Sequence, residues 1–344
     1  MKELFSAIVG NKALCNRLGN DILSSRLPHA IILEGAYGTG KHTIAKMCAA
    51  ALVCENKDSN GAPLPCLKCL ACRKVLENKS ADVITVGCEE KATIGVDAIR
   101  FLKEDVNLVP NDSEHKVYII EDADKMTHQA QNAFLLTLEE PPAYVHFFLL
   151  CENSGLFLET IRSRAPILRT ELLSKDEIDR YICATDRRAS QMKLTDPKGY
   201  AELLVASGMG IGRALEFLEP KTLAPIKQKR TVALDIVERS VKKRGASEIL
   251  PLISLLTKMT RPAVIEHLSA VSDALRDLIL IKKSDEAELT FFSDRDAAIE
   301  LSDRASMVFL YEMSSAVRLA TDELGMNANV RLCLIKMATV ANIL

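Results

Sequence analysis

The residues best placed to do chemistry stand in the run Gly35-Ala36-Tyr37-Gly38-Thr39-Gly40-Lys41-His42-Thr43. The apolar run Ala30-Ile31-Ile32-Leu33 precedes it, and a helix-forming run from Thr43 to Val53 follows. Strand, glycine turn and helix start together make a phosphate cradle. Glycines let backbone N–H groups close on oxygens, the helix start favours anions, and a lysine reaches the terminal phosphates. Gly35, Gly38, Gly40 and Lys41 have that spacing, the P-loop pattern. At position 42, where Ser or Thr would hold magnesium, the chain has histidine. Magnesium is a hard cation that prefers oxygen, so imidazole is a poor replacement. Thr43 offers a hydroxyl, but one residue too far along the helix. The loop is expected to accommodate phosphate without being built to hydrolyse it.

A second half of such a site follows in Lys116-Val117-Tyr118-Ile119-Ile120-Glu121-Asp122-Ala123-Asp124. An apolar strand ending in acids supplies one carboxylate for magnesium and another to polarise water. The usual order is Asp then Glu; here Glu121-Asp122 is reversed. Each side chain changes its reach by one methylene, in a geometry that tolerates little displacement. A third apolar strand, His146 to Cys151, ends at Glu152-Asn153. Either residue could occupy the place beside a γ-phosphate, although a carboxylate there would be repelled.

Four cysteines carry a different chemistry. Cys54 is followed by Cys66, Cys69 and Cys72, with two residues inside each later pair. Four thiolates can wrap a tetrahedral zinc, and two-residue spacers let neighbouring sulfurs converge. The segment Lys57 to Pro65 between them is polar with Gly and Pro, hence a loop. Four protein ligands leave no open position, so the site is expected to be structural, and iron would also accept such a set. Cys15, Cys48, Cys88, Cys151, Cys183 and Cys333 sit in apolar patterns and are expected to be small core residues.

The elements that position these groups follow from pattern. Residues 1–29 form a helical lead-in, with Leu14, Leu18, Ile22 and Leu23 at helical spacing. Ala81 to Val86 predicts a strand, Val96 to Leu108 a helix, and Gln129 to Leu138 a helix that turns Ala130, Ala133, Phe134 and Leu138 inward. Ser174 with Glu177 makes a capping box that opens a set of short helices ending near Glu219-Pro220. After Leu223-Ala224-Pro225 come long amphipathic runs: Val232–Lys242, Ile249–Met259, Val264–Lys282, Ala297–Leu324 and Val330–Ile343. The reading is therefore an α/β domain over 1–172 with the cysteine module at 54–72, helices over 173–222, and an all-helical domain over 223–344. The 344 residues are 48% hydrophobic and 26% charged, with a formal net charge of −2. That balance gives no global electrostatic footprint for nucleic acid. Without an apolar run long enough to span a bilayer, a cytoplasmic protein is expected.

These motifs in combination resemble the bacterial clamp-loader AAA+ subunits of DNA polymerase III, within them the delta-prime branch, close to gamma/tau. The matching stretches are Phe5–Gly10, Arg26-Leu27-Pro28-His29-Ala30, Gly35–Lys41, the four cysteines, and Ile119–Met126. They continue through Asn132–Pro142 with its Leu-Glu-Glu-Pro-Pro run, Ser163-Arg164-Ala165, Gly210-Ile211-Gly212-Arg213-Ala214-Leu215 and Asn327–Leu332.

The resemblance implies an AAA+ domain with an inserted zinc module, a helical lid and a collar that closes a hetero-pentameric ring with gamma/tau and delta subunits. The sliding clamp and primed DNA would be met through that assembly, with no membrane involved. It implies that Arg164, in the Ser-Arg-Cys motif with Ala165 in place of cysteine, reaches a neighbouring chain's ATP. Arg213 corresponds to a second nucleotide sensor. Gly35, Gly38, Gly40, Lys41, Thr43, Glu121 and Asp122 would form this chain's own nucleotide-binding-like site, with weak or no turnover of its own; whether it holds ATP at all the sequence leaves open, and ATP retained without turnover is a middle case. A working gamma/tau-type ATPase is the rival. A third reading, a zinc-ribbon nucleic-acid binder, has only Lys68 and Arg73 near the cysteines and no aromatic for base stacking.

Overall fold

The computed structural model describes residues 4–5, 8–57, 63–88, 93–208, 210–242, 246–284 and 287–340. Positions 58–62 of the expected Lys57–Pro65 loop, 6–7 of the Phe5–Gly10 segment and 341–343 of the last expected helix lie outside them. The chain divides into two compact units, one of residues 1–181 with 209–212, the other of 182–208 with 213–344.

The first unit is built on five parallel strands: β1 Ala30–Glu34, β2 Val83–Val86, β3 Lys116–Ile120, β4 Val145–Cys151 and β5 Ile167–Arg169, in the order β2-β3-β4-β1-β5. The strands β1, β3 and β4 are near-continuous apolar runs because helices cover both faces of the sheet. On one face Ile31, Leu33, Val117, Ile119, Phe148 and Leu150 pack with α1 Lys12–Leu23, α2 Lys41–Leu52 and α3 Leu70–Leu76. On the other, Ile32, Tyr118, Ile120, Phe147 and Leu149 pack with α4 Val96–Val106 and α5 His128–Glu139. The short helix α6 Glu159–Arg162 leads into β5. The register sets Glu34 beside Cys151 and Ile120 beside Leu149, so the ends of β1, β3 and β4 come together. A parallel sheet binds ligands at such carboxyl ends.

Helix α7, Lys175–Thr185, begins with the expected capping box: Ser174 Oγ accepts from the Glu177 N–H at 3.3 Å, and Glu177 Oε2 accepts from the Ser174 N–H at 3.0 Å. Short helices α8 Arg187–Thr195, α9 Pro197–Ala206 and α10 Ile211–Glu216 follow. The remaining helices are α11 Pro220–Val241, α12 Ala246–Thr257, α13 Arg261–Ile281, α14 Arg295–Asp303, α15 Met307–Gly325 and α16 Val330–Val340. In the second unit α13 buries Leu268, Val271, Leu275 and Leu278 at helical spacing.

Three expectations need correction. The run Ala297–Leu324 is two helices rather than one; Ser306 caps α15, its side chain accepting from the Phe309 N–H, and a polar N-cap outweighs a continuous apolar stripe. The first long run, expected over Val232–Lys242, starts earlier: α11 begins at Pro220 and runs through Pro225, where the lost N–H falls near the helix start, and the Lys221 carbonyl it would have met is on an exposed residue. Strand β5, only three residues long beside Pro166, was not anticipated. Of the six lone cysteines, Cys15, Cys48, Cys151 and Cys333 are buried as expected, whereas Cys88 and Cys183 are half-buried.

Candidate functional site

The glycine loop connects β1 to α2 and adopts the backbone that its sequence requires. Gly38 and Gly40 have φ of 82° and 88°, the left-handed region where glycine is at ease. Gly35 is required for another reason: a Cβ there would run into the Thr170 hydroxyl. Thr39, nearly fully buried, ties the loop down by donating to the Ala36 carbonyl at 2.8 Å, and its hydroxyl lies 2.8 Å from that of Thr170. The Gly212 N–H donates to the Gly38 carbonyl at 3.2 Å, so backbone also closes on the loop from outside.

Lys41 folds back onto the loop. Its Nζ donates to the carbonyls of Gly35 at 2.6 Å and Ala36 at 2.9 Å. Burial pulls its amine below the ordinary lysine value, against the opposing charges of Glu152, Asp124 and Asp122. His42 is not a spectator: its Nε2 lies 3.1 Å from Oε1 of Glu121, at the end of β3. Thr43 is exposed, one residue round the helix and so about 100° away. Asp122 takes a left-handed φ of 48° and pairs with Lys125 Nζ at 2.8 Å. The sequence therefore placed Gly35, Gly38, Gly40, Lys41, Glu121 and Asp122 on meeting elements, and the two unusual residues, His42 and Glu121, touch.

Two acids make contacts that the sequence reading did not assign. Asp124 Oδ2 accepts from the backbone N–H groups of Glu152 at 3.0 Å and Asn153 at 3.2 Å, binding the end of β4 to the turn after β3. Asn153 spends its Oδ1 on the Gly155 N–H at 2.9 Å, within its own turn. Glu34 accepts from Arg169 Nε at 2.8 Å and from the Ser154 N–H at 3.2 Å. The Arg169 guanidinium beside it holds its carboxyl below the usual range. An acid in an apolar strand end gives a hint of such pairing, but not of its partner.

Arg164 lies just past α6. Nη2 donates to Glu139 Oε1 at 2.8 Å and Nη1 to the Thr160 carbonyl at 3.1 Å. Ala165, in the place of the motif's cysteine, is fully buried. Arg213 is on α10 in the second unit.

The four cysteines converge, with all ligand atoms within 4.8 Å of one another. Cys66 and Cys72 sulfurs are 4.0 Å apart. A tetrahedral zinc with bonds of about 2.3 Å sets its sulfurs about 3.8 Å apart, so this set fits a metal. Cys54 follows the end of α2, and Cys69 caps α3, its Sγ accepting from the Cys72 N–H at 3.4 Å. Cys66 Sγ accepts from the Cys69 N–H at 3.4 Å and from Asn56 Nδ2 at 3.5 Å. Burial raises the Cys66 thiol, but these donors outweigh it and bring it down to about 6. Burial pushes Cys72 up. The Phe5 N–H donates to the Leu64 carbonyl at 2.9 Å, anchoring the start of the described chain to this module.

Comparison with known proteins bears on the first unit. Residues 10–174 match the family model described as DNA polymerase III, delta subunit. DNA polymerase III subunit gamma of Buchnera aphidicola subsp. Schizaphis graminum is 31% identical over 180 residues, covering 52% of this chain and 48% of that one. Subunit tau of Bacillus subtilis is 35% identical over 164 residues, 47% of this chain and 28% of that one. The chain thus spans about half, or less, of the length of these relatives. Among solved structures, a DNA polymerase III gamma subunit-related protein of Thermotoga maritima aligns with a TM-score of 0.45 at 19% identity, over 95% of this chain and 97% of that one. No described helix is long and apolar enough to cross a membrane. With glycine loop, paired acids and cysteine module set on one parallel sheet, residues 10–174 of the chain are similar to the bacterial DNA polymerase III clamp-loader subunits.

Proposed function

We propose that this chain is a clamp-loader subunit of the delta-prime kind, cytoplasmic and largely non-catalytic at its own loop, that lends Arg164 to the ATP site of a neighbouring gamma/tau subunit. The observation that carries the reading is the contact of His42 with Glu121 at 3.1 Å. Where a hydrolytic site sets a hydroxyl and a carboxylate around magnesium, this chain sets an imidazole against a carboxylate. Lys41, meanwhile, is engaged with the carbonyls of its own loop. In this reading Gly35, Gly38, Gly40, Lys41, Thr43, Glu121 and Asp122 form a degenerate nucleotide site, and Arg213 corresponds by its motif to a second nucleotide sensor. Cys54, Cys66, Cys69 and Cys72 hold a structural zinc. Residues 1–172 act as AAA+ domain, 173–222 as lid and 223–344 as collar. The partners are gamma/tau and delta subunits in a five-membered ring, with clamp and primed DNA reached through it.

The reading is tested by ATP hydrolysis in the reconstituted loader with clamp and primed DNA, native chain against Arg164→Ala. A tenfold or greater fall, about 1.4 kcal/mol of barrier, with assembly intact is the expected result. An unchanged rate would remove Arg164 from any active site. A second reading, a gamma/tau-type ATPase, is favoured by the names of the relatives and by the retained Lys41 and Thr43. It requires magnesium-dependent turnover by the isolated chain that Lys41→Ala abolishes.

A further inference from the structure

The guanidinium of Arg164 is held from two sides. Glu139, the last residue of α5, accepts from Nη2 at 2.8 Å, and the Thr160 carbonyl in α6 accepts from Nη1 at 3.1 Å. The backbone is fixed as well: the Arg164 N–H donates to the Ile161 carbonyl at 3.0 Å, and Ala165 beside it is fully buried. Both charged side chains remain open to solvent, at 37% and 46%. An ion pair so exposed contributes little to stability. What it does fix is direction. An arginine has five N–H donors in a rigid fork, and anchoring part of that fork leaves the rest aimed for another acceptor.

The two elements that carry the pair are themselves locked in register from the core. Gln131, about two turns before Glu139 on α5, is 4% exposed. Its Nε2 donates to the carbonyls of Met126 and Leu156, each at 3.2 Å, and its Oε1 accepts from the Leu158 N–H at 2.8 Å, at the entry to α6. One buried amide thus staples α5 to the start of α6, and Glu139 closes the same two elements on Arg164.

We infer that Glu139 is the positioning residue of Arg164, holding the guanidinium in the orientation from which it meets the phosphate of a nucleotide on the neighbouring chain. The inference rests on the trans role proposed above. Glu139 touches no reacting atom; it acts through Arg164, by restricting where the fork points.

The test uses the full chain assembled with DNA polymerase III gamma/tau and delta subunits, clamp and primed DNA, with kcat and KM for ATP read separately. Glu139→Ala is expected to lower kcat roughly three- to tenfold with KM nearly unchanged, as for a misaimed group. Glu139→Gln, which keeps an acceptor oxygen at the same reach, is expected to stay within about twofold of native. The double variant Glu139→Ala/Arg164→Ala is expected to be no slower than Arg164→Ala alone, because the lost contact has only one route of action. If Arg164→Ala slows hydrolysis while Glu139→Ala does not, or if the two losses multiply in the double variant, the positioning role is overturned and the trans role stands. If Arg164→Ala leaves the rate unchanged, the trans role fails and the inference falls with it.

Discussion

Nε2 of His42, in the first turn of α2, lies 3.1 Å from Oε1 of Glu121, at the end of β3. The histidine in the magnesium position and the inverted acid pair are thus one feature rather than two. A longer Glu reaches an imidazole; the shorter Asp122 that follows turns away through a left-handed φ and pairs with Lys125. Restoring one partner alone leaves the other unmatched. In a calorimetric titration with ATP, His42→Thr is expected to leave affinity with and without magnesium within about threefold. His42→Thr/Glu121→Asp/Asp122→Glu is expected to gain tenfold or more from magnesium, about 1.4 kcal/mol. A tenfold gain from His42→Thr by itself would mean that Glu121 already stands ready as a ligand.

The cysteine cluster predicts a metal dependence. Cys72 is fully buried and its Sγ lies 3.5 Å from the Ala50 carbonyl, so the module is packed on α2, the helix that begins at the glycine loop. Structural zinc in small modules is worth about 10–16 kcal/mol of apparent binding energy at neutral pH. Cys66→Ser or Cys72→Ser is expected to remove bound metal, measured by elemental analysis, and to lower the melting temperature; a strong chelator should do the same to the native chain. Native protein purified without exogenous chelator that contains no stoichiometric metal would sink the assignment.

Some of this was legible because its physics is local. Strands β1, β3 and β4 are apolar runs since both faces are covered, the glycines of the loop answer to φ, and two-residue cysteine spacers speak for themselves. Strand β5 was not legible: Ile167-Leu168-Arg169 is too short to show a period. The contact of His42 with Glu121 joins the start of one helix to the end of a distant strand, which no spacing records. Gln131 occupies a position where a helical pattern expects an apolar residue or solvent. Its partners Leu156 and Leu158 come from another segment, and only they explain why a buried amide is tolerated.

Asp277 is the same kind of residue in the second unit. It is fully buried on α13 and accepts from the backbone N–H groups of Thr290 at 2.9 Å, Phe291 at 2.7 Å and Phe292 at 3.1 Å. Removing it strands three donors, each costing about 1–3 kcal/mol when left unpaired and out of water. Asp277→Ala is expected to destabilise the chain by about 3 kcal/mol or more in chemical denaturation. Asp277→Asn, which keeps an acceptor oxygen, should lose less. Equal losses for both would assign the effect to charge rather than to the missing acceptor.

The amino ends of the central strands carry a pH dependence. His146 on β4 is buried, its ring 5.9 Å from that of His29 and 5.2 Å from that of His115. Burial first, then the neighbouring His115, pushes His146 down to about 4, and burial also lowers His115. A histidine kept neutral by the fold binds its proton more readily in the unfolded chain. Between the ordinary value of about 6.5 and about 4, the unfolded state therefore holds more protons, and stability falls as pH falls through that window. Holding the imidazole neutral from about 6.5 down to about 4 at about 1.4 kcal/mol per pH unit makes the loss a few kcal/mol at the acid end of that window. Acid-denaturing carboxylates act in the same range, and a variant separates them. His146→Phe, an apolar ring in a buried place, is expected to flatten the loss of stability between pH 6.5 and 4 relative to the native chain. Denaturant midpoints measured across that window provide the check. Parallel curves for native and variant would mean that His146 protonates as easily in the fold as out of it.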